Sequence, residues 1–466
     1  MKLKKRTLQF IVLVHIFLLV QFAAEVLFGA SGVIPIVFVA LCVLWILMFK
    51  KTSSLLYLFI AMLPNFSIYS GEVFGISVLN IITLYCLFYI ATKAKNLGKI
   101  TTVPCAFLVI WYIYEVVDIY IHSDSGIANA ITSSVSYFVI CICMQALLTG
   151  KHRNTNAIQL KTNTRLNNAD MVIVSFLSGI IFMLLIAYLE LILGKTFFYH
   201  LWTGSERYRY GIMRVGSTVA DPNNVCFNMV PFLFLVSTEY AKRLLYKQYI
   251  RTIQILTVAM IFLSGSRTGV VAFIAGLMFY FLGKKKAILL SLIPIFIALE
   301  SGLSSMLSSL RAIDEDSSNF REFINRNALL LFKDNMLFGI GSGNIVGKLN
   351  LAIAGASSHN VNTMNTYLYY LVGFGIVGFV LFITYYVLML LPDLKTWVIL
   401  KRVKSDQLLR ISACISILLL IYTLDTATFA VVWLLPAVLE ACRDNDRIAA
   451  SLEQGKNVSF NGMAGR

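Results

Sequence analysis

Charge is scarce in this chain. Of its 466 residues only 13% are Asp, Glu, Lys or Arg, against 58% that are hydrophobic. Soluble domains carry about 25% charged residues, so a water-soluble globular architecture is excluded. No soluble domain separates the apolar runs, and the runs lack the residue-by-residue alternation that a membrane barrel requires. The eight cysteines (42, 86, 105, 141, 143, 226, 414 and 442) are scattered, mostly within apolar segments, and none forms a CxxC. That spacing supports neither a zinc site nor a disulfide framework, and they read as small buried hydrophobes. No Asp, Glu and His cluster shows metal-ligand spacing, so no metal or other cofactor is expected.

The chain is instead rich in long apolar runs. A helix needs about 20 apolar residues to cross the hydrocarbon, and lipid admits only helices or closed barrels. The expectation is an all-α, polytopic membrane protein with about 14 crossings in a single domain over residues 1–442, followed by a polar cytoplasmic tail over 443–466. The first apolar run follows MKLKKR and resembles a signal peptide. It continues through AAEVLF without a clear cleavage site and is read as the first crossing, N-terminus inside. Further crossings are expected at 33–49, 54–70, 76–92, 103–121, 127–149, 171–193, 224–239, 253–265, 268–283, 287–300, 371–391, 411–424 and 427–441. The last two are short and are read alternatively as a shallow hairpin.

The net charge of +16 fits this count. Alternation puts Lys50/Lys51, Lys93/Lys95/Lys99, the 151–165 and 242–251 clusters, Lys284–Lys286 and the 395–410 cluster on the cytoplasmic side, as the positive-inside rule demands. No basic stripe alternates with aromatics outside the membrane, so no nucleic-acid partner is expected. Two external loops, about 194–223 and 301–365, are long, and loops of that length are usually functional or disordered. The second contains REFINRNALLLF, an amphipathic helix expected along the membrane surface.

SGSRTG, residues 264–269, carries Arg267, the only charged side chain between Thr252 and Leu282. It lies at the outer end of a hairpin, beside both arginine-bearing loops. Guanidinium suits phosphate because its planar fork donates paired bonds and stays charged; the bland alternative is an arginine reaching for lipid headgroups. RVGSTVADPNN (214–224), LSGSRTG (263–269), REFINRNALLLFKDNMLFGIGSGN (321–344) and SSHNVNTMNTYLYYLVGFGIVG (357–378) occur in this order. Together they resemble the O-antigen ligase and O-antigen polymerase superfamily of bacterial envelope enzymes, over roughly residues 200–380. Met336 stands where that pattern has Pro. The pattern's His-Asn aligns without a gap to Met364-Asn365, which leaves His359-Asn360 five residues early.

The resemblance implies a GT-C-like glycosyltransferase of the bacterial cytoplasmic membrane, and the charge alternation puts both termini of this multi-pass chain in the cytoplasm. Its implied substrates are glycans on undecaprenyl diphosphate, as donor and acceptor, at the outer leaflet within membrane lipid; a flippase and a chain-length regulator are the implied partners. Arg214, Arg267 and Arg321 would bind the diphosphate without metal. His359 and Asp221 are the candidates for general base, Asp221 being equally a helix N-cap. The favoured function is polymerisation of repeat units into a surface polysaccharide; ligation of finished glycan is the alternative. A different class, a lipid-linked oligosaccharide flippase, draws on Glu115 and Asp118, acids three apart on one helix face.

Overall fold

The computed structural model describes residues 2–28, 33–69, 72–73, 76–97, 103–122, 168–198, 208–209, 212–283, 311–353, 365–400 and 405–422, with single positions at 139, 143, 363, 435, 438, 439, 442 and 443. Among them the architecture is all-α. The exceptions are two antiparallel two-residue hairpins, Glu72–Val73 with Ile76–Ser77 and Tyr208–Arg209 with Ile212–Met213. The helices are α1 (Lys2–Phe28), α2 (Val33–Phe49), α3 (Leu55–Met62), α4 (Val78–Leu97), α5 (Val103–His122), α6 (Asn168–Leu193) and α7 (Pro222–Val236). They continue as α8 (Glu239–Leu244), α9 (Lys247–Leu263), α10 (Arg267–Gly283), α11 (Arg311–Asp334), α12 (Ile345–Ala352), α13 (Thr366–Leu400) and α14 (Ser405–Leu420).

Stretches within α1, α6 and α13 are long and apolar enough to cross a membrane: Leu3–Phe28, Ala169–Leu193 and Thr366–Lys395. Shorter apolar helices include α2, α7 and most of α4 and α10. Apolar helices of this kind, with large side chains such as Leu47, Ile110 and Ile192 facing outward, are those of a membrane protein, whose exterior is solvated by lipid.

α6 runs through the centre of one half. Gly179 lets its backbone meet α3 so closely that an added Cβ would lie 2.2 Å from the Ala61 carbonyl oxygen. The other half is built on α14, which packs against α7 and α10. There Ser416 Oγ donates to the Ala272 carbonyl at 3.1 Å, and Gly276 leaves room for Phe234 and Ser416. α11 and α12 form a separate layer over the start of α13, closed by Ile324, Ala328, Leu349, Leu368 and Val372.

Several boundaries differ from the sequence reading. The crossing expected over 54–70 is helical only to Met62. Pro64 follows, and the chain continues as a kinked 3-10 segment to Tyr69 that turns at Asn65. The crossing expected at 371–391 is longer and broken, since α13 begins at Thr366 and is interrupted at Gly375 (φ 64°, ψ −167°). The N–H groups of Ile376 and Val377 donate to the carbonyls of Met336 and Leu337, and those of Ile340 and Gly341 donate to Val372 and Gly373. The GIG turn after α11 thus takes up backbone groups that the break would leave unmatched. The amphipathic helix is present and longer than expected, as α11.

Arg410, assigned to a cytoplasmic cluster, is buried in α14 and pairs with Asp393 of α13 (2.9 Å). Arg443, where the polar tail was expected to start, is buried as well and pairs with the same carboxylate (2.7 Å). The expected crossings at 127–149, 287–300 and 427–441 lie almost wholly outside the described residues.

Candidate active site

The long loop after α6 ends in a helix start that the sequence encodes plainly. Asp221 is extended (φ −148°, ψ 128°), Pro222 follows at the first helical position, and Asp221 Oδ1 accepts from the N–H of Asn223 (2.6 Å) and of Asn224 (3.3 Å). This is an N-cap, which satisfies amides that an open helix end leaves orphaned. Arg214 is nine-tenths buried beside it. Burial pushes the Asp221 carboxyl up, opposed in turn by the Asn223 N–H, the charge of Arg214, the Asn224 N–H and the charge of Arg321. The charge of Arg321, on α11, also acts on this carboxylate, so one acid feels cations from two long loops.

A second helix start lies against the first. α9 ends at Leu263 and the chain turns through Ser264-Gly265-Ser266, with Gly265 at φ 67°. Ser266 Oγ accepts from the N–H of Gly269 (3.2 Å), capping α10, and donates to Asn223 Oδ1 (2.9 Å) on the first turn of α7. Close approach requires Gly269, because a Cβ there would fall 2.5 Å from Cys226 Cβ and Sγ. Arg267, the first residue of α10, is exposed.

A third start joins the same end of the bundle. Asn365 Oδ1 accepts from the N–H of Tyr367 (2.9 Å) and of Leu368 (3.4 Å). The Thr366 N–H donates to the Ile421 carbonyl just past α14 (3.0 Å). α14 runs antiparallel to α10, so its C-terminal end lies toward Arg267. The amino termini of α7, α10 and α13 therefore gather at one end of the bundle. Each carries roughly half a positive charge, and helix amino termini bind phosphate readily.

Of the residues expected to form the site, the structure brings Arg214, Asp221 and Arg321 together and ties the start of α10, with Arg267, to the same helix ends. His359 and Met364 lie outside the described residues. Glu115 and Asp118 are both buried, and Asp118 Oδ1 pairs with His122 Nδ1 on its own helix at 3.1 Å. No site role was given from sequence to Asn223, Ser266 or Asn365, although Ser266 and Asn365 each carry the Ser or Asx helix-start signature. Glu190 was also passed over: an acid in an apolar run, fully buried, it accepts from the N–H of Ser217.

No curated protein matches the chain. The family model described as O-antigen ligase matches residues 253–383. That stretch runs from α9 past the break in α13, and it holds Arg267 and Arg321 but not Arg214 or Asp221. The resemblance read from the sequence is thus supported over residues 253–383, where the chain is similar to the O-antigen ligase family.

Proposed function

We propose that this protein transfers glycan from a lipid diphosphate donor at the outer face of the bacterial cytoplasmic membrane, and that it polymerises undecaprenyl-diphosphate-linked repeat units. The observation that carries the reading is the convergence of Arg214, Arg321 and three capped helix starts at one end of the bundle, within a chain matched to a family of this kind. An acceptor hydroxyl oxygen attacks the anomeric carbon, and the bond from that carbon to the diphosphate oxygen breaks. The electron pair leaves with the diphosphate, and the hydroxyl proton passes to a base, His359 or Asp221.

Preorganised donors aimed at the departing oxygen act strongly in a site that excludes water. Three arginines and three helix ends would supply the positive charge that a bound cation supplies elsewhere. The reading includes a GT-C-like body with fourteen crossings, both termini cytoplasmic, and a flippase and a chain-length regulator as neighbours. The similarity to the O-antigen ligase family favours one further reading, ligation of a finished glycan to a different acceptor. The two separate by product: a polymerase lengthens repeat units supplied alone, whereas a ligase needs the second acceptor.

The test is glycan extension by the purified protein in detergent, with authentic lipid-linked repeat units and a chelator. Wild type is expected to extend them, and Arg267→Ala to be slower by about 10²–10³-fold, the usual cost of removing one such donor. Arg267→Lys recovers only part of the rate, because an ammonium lacks the planar fork. Full extension by Arg267→Ala would leave Arg267 as a headgroup contact. His359→Ala, in the same assay, loses about 10²–10⁴-fold if His359 takes the proton and little if it does not.

A further inference from the structure

The segment that presents Arg214 and Asp221 is conformationally strained. Ser217 (φ 49°) and Ala220 (φ 53°) both occupy the left-handed region without being glycine. Strain of this kind persists only where the surroundings over-determine it, and it clusters at functional sites. Here the surroundings include a buried polar network built on α3 and α6.

One arm is Glu190, three residues from the end of α6 and fully buried. Its Oε2 accepts from the Ser217 N–H at 2.7 Å, and its Oε1 accepts from the Phe197 N–H at 2.9 Å. The Lys195 N–H donates to the Glu190 carbonyl. The beginning and the end of the first external loop are thus fastened to one carboxylate. The other arm is Asn65, at the kink after α3. Its Nδ2 donates to the carbonyls of Ala61 and Gly179, both at 3.0 Å, and its Oδ1 accepts from Thr218 Oγ1 at 2.6 Å. Ser217 Oγ donates to the Met183 carbonyl at 2.6 Å. Asn65, Glu190, Ser217 and Thr218 are all at 0% exposure.

An acid within an apolar helix is costly and marks function by default. Glu190 is on the crossing that packs against α3, and its carboxylate accepts from backbone amides of the loop. Arg214 lies three residues before Ser217 and Asp221 three after Thr218, so each is within about 11 Å of the anchored pair along the chain.

We propose that Glu190 and Asn65 are positioning residues which, through Ser217 and Thr218, hold Arg214 and Asp221 in register for a diphosphate ligand. The inference rests on the diphosphate reading of the site given above. Fixing the loop at two adjacent residues, against the rigid pair α3 and α6, sets where the guanidinium lies before substrate arrives. A displacement of about 1 Å in such a group can cost 10²-fold in rate.

The test uses the full chain in detergent, assayed well below each variant's melting temperature. Glycan extension is measured alongside calorimetric binding of inorganic pyrophosphate. Thr218→Ser keeps the hydroxyl and is expected to behave as wild type. Thr218→Val keeps the shape without the hydroxyl, and Glu190→Gln keeps one acceptor oxygen of two. Both are expected to extend glycan about 10²-fold more slowly and to bind pyrophosphate at least tenfold more weakly. If Glu190→Gln fails to fold, the Val and Ser pair decides. Wild-type rate and pyrophosphate affinity in Thr218→Val overturn the positioning role, as does a wild type that does not bind pyrophosphate. If wild type binds pyrophosphate but extends no glycan, the transfer reading falls, and weakened binding in Thr218→Val still upholds the positioning role.

Discussion

Asp221 has two uses for one carboxylate, and its surroundings separate them. Oδ1 is engaged by the amides of Asn223 and Asn224, while the charges of Arg214 and Arg321 oppose the upward push of burial. Burial outweighs the two guanidiniums and holds the carboxyl above its ordinary range, but the oxygen that faces the helix end is already taken by two amides, so capping is the expected role. Asn caps a helix about as well as Asp, whereas loss of the cap to Ala costs about 1 kcal/mol. Asp221→Asn should therefore fold normally and keep its rate within about tenfold, and Asp221→Ala should melt earlier. If Asp221 is the base, Asp221→Asn instead loses about 10²–10⁴-fold. The limb on which wild-type rate falls as acid protonates this carboxyl would then vanish in the variant. Arg267 is the cleaner arginine to remove, since it is exposed; removing the buried Arg214 also strips a counter-charge from Asp221.

At the level of elements, helices were legible and their interruptions were not. The runs at 33–49 and 103–121 coincide with α2 and α5 almost to the residue, because uninterrupted apolar sequence leaves the chain one choice in lipid. The break at Gly375 has no such local sign. GFGIVG reads as more apolar helix, and the break exists because the distant 336–341 turn binds its backbone. Arg214, Arg267 and Arg321 stood out in the sequence as arginines at the edges of apolar runs. Glu190 was visible as an acid in an apolar run, but its loop partner Ser217 is 27 residues away. Arg410 shows the opposite failure: loop charge counting takes any arginine near a helix end as solvated, yet this one is held with Arg443 on the buried Asp393. Breaking a buried pair leaves uncompensated charge and costs about 3–5 kcal/mol. Asp393→Asn is thus expected to lower the melting temperature markedly. Glu322→Gln, which loosens the exposed Arg326–Glu322 pair at 2.6 Å, should change stability by less than about 1 kcal/mol. Equal melting of the two variants would show that the Asp393 cluster carries no stability of its own.

For the whole molecule, everything proposed depends on which side of the membrane holds the gathered helix starts. The net charge of +16 sorts into alternate loops with the arginine site outside, yet that assignment is a statistical bias of insertion and needs direct measurement. Ser266 would be a natural probe of the hairpin, but it is buried and bonded to Asn223, so a cysteine there would be shielded whichever way it faced. Lys195 and Arg326 are exposed on the two long loops, and Lys247 is exposed at the other end, at the start of α9. In a background with all eight native cysteines replaced, cysteines at 195 and 326 should react with an impermeant maleimide in intact cells. One at 247 should react only after permeabilisation. Lipid-linked repeat units awaiting polymerisation stand at the outer leaflet, so the reverse pattern would place Arg214, Arg267 and Arg321 in the cytoplasm. The external polymerase reading would then fail, and Glu115 and Asp118, at the outer end of α5 in the present topology, would change sides with the arginines.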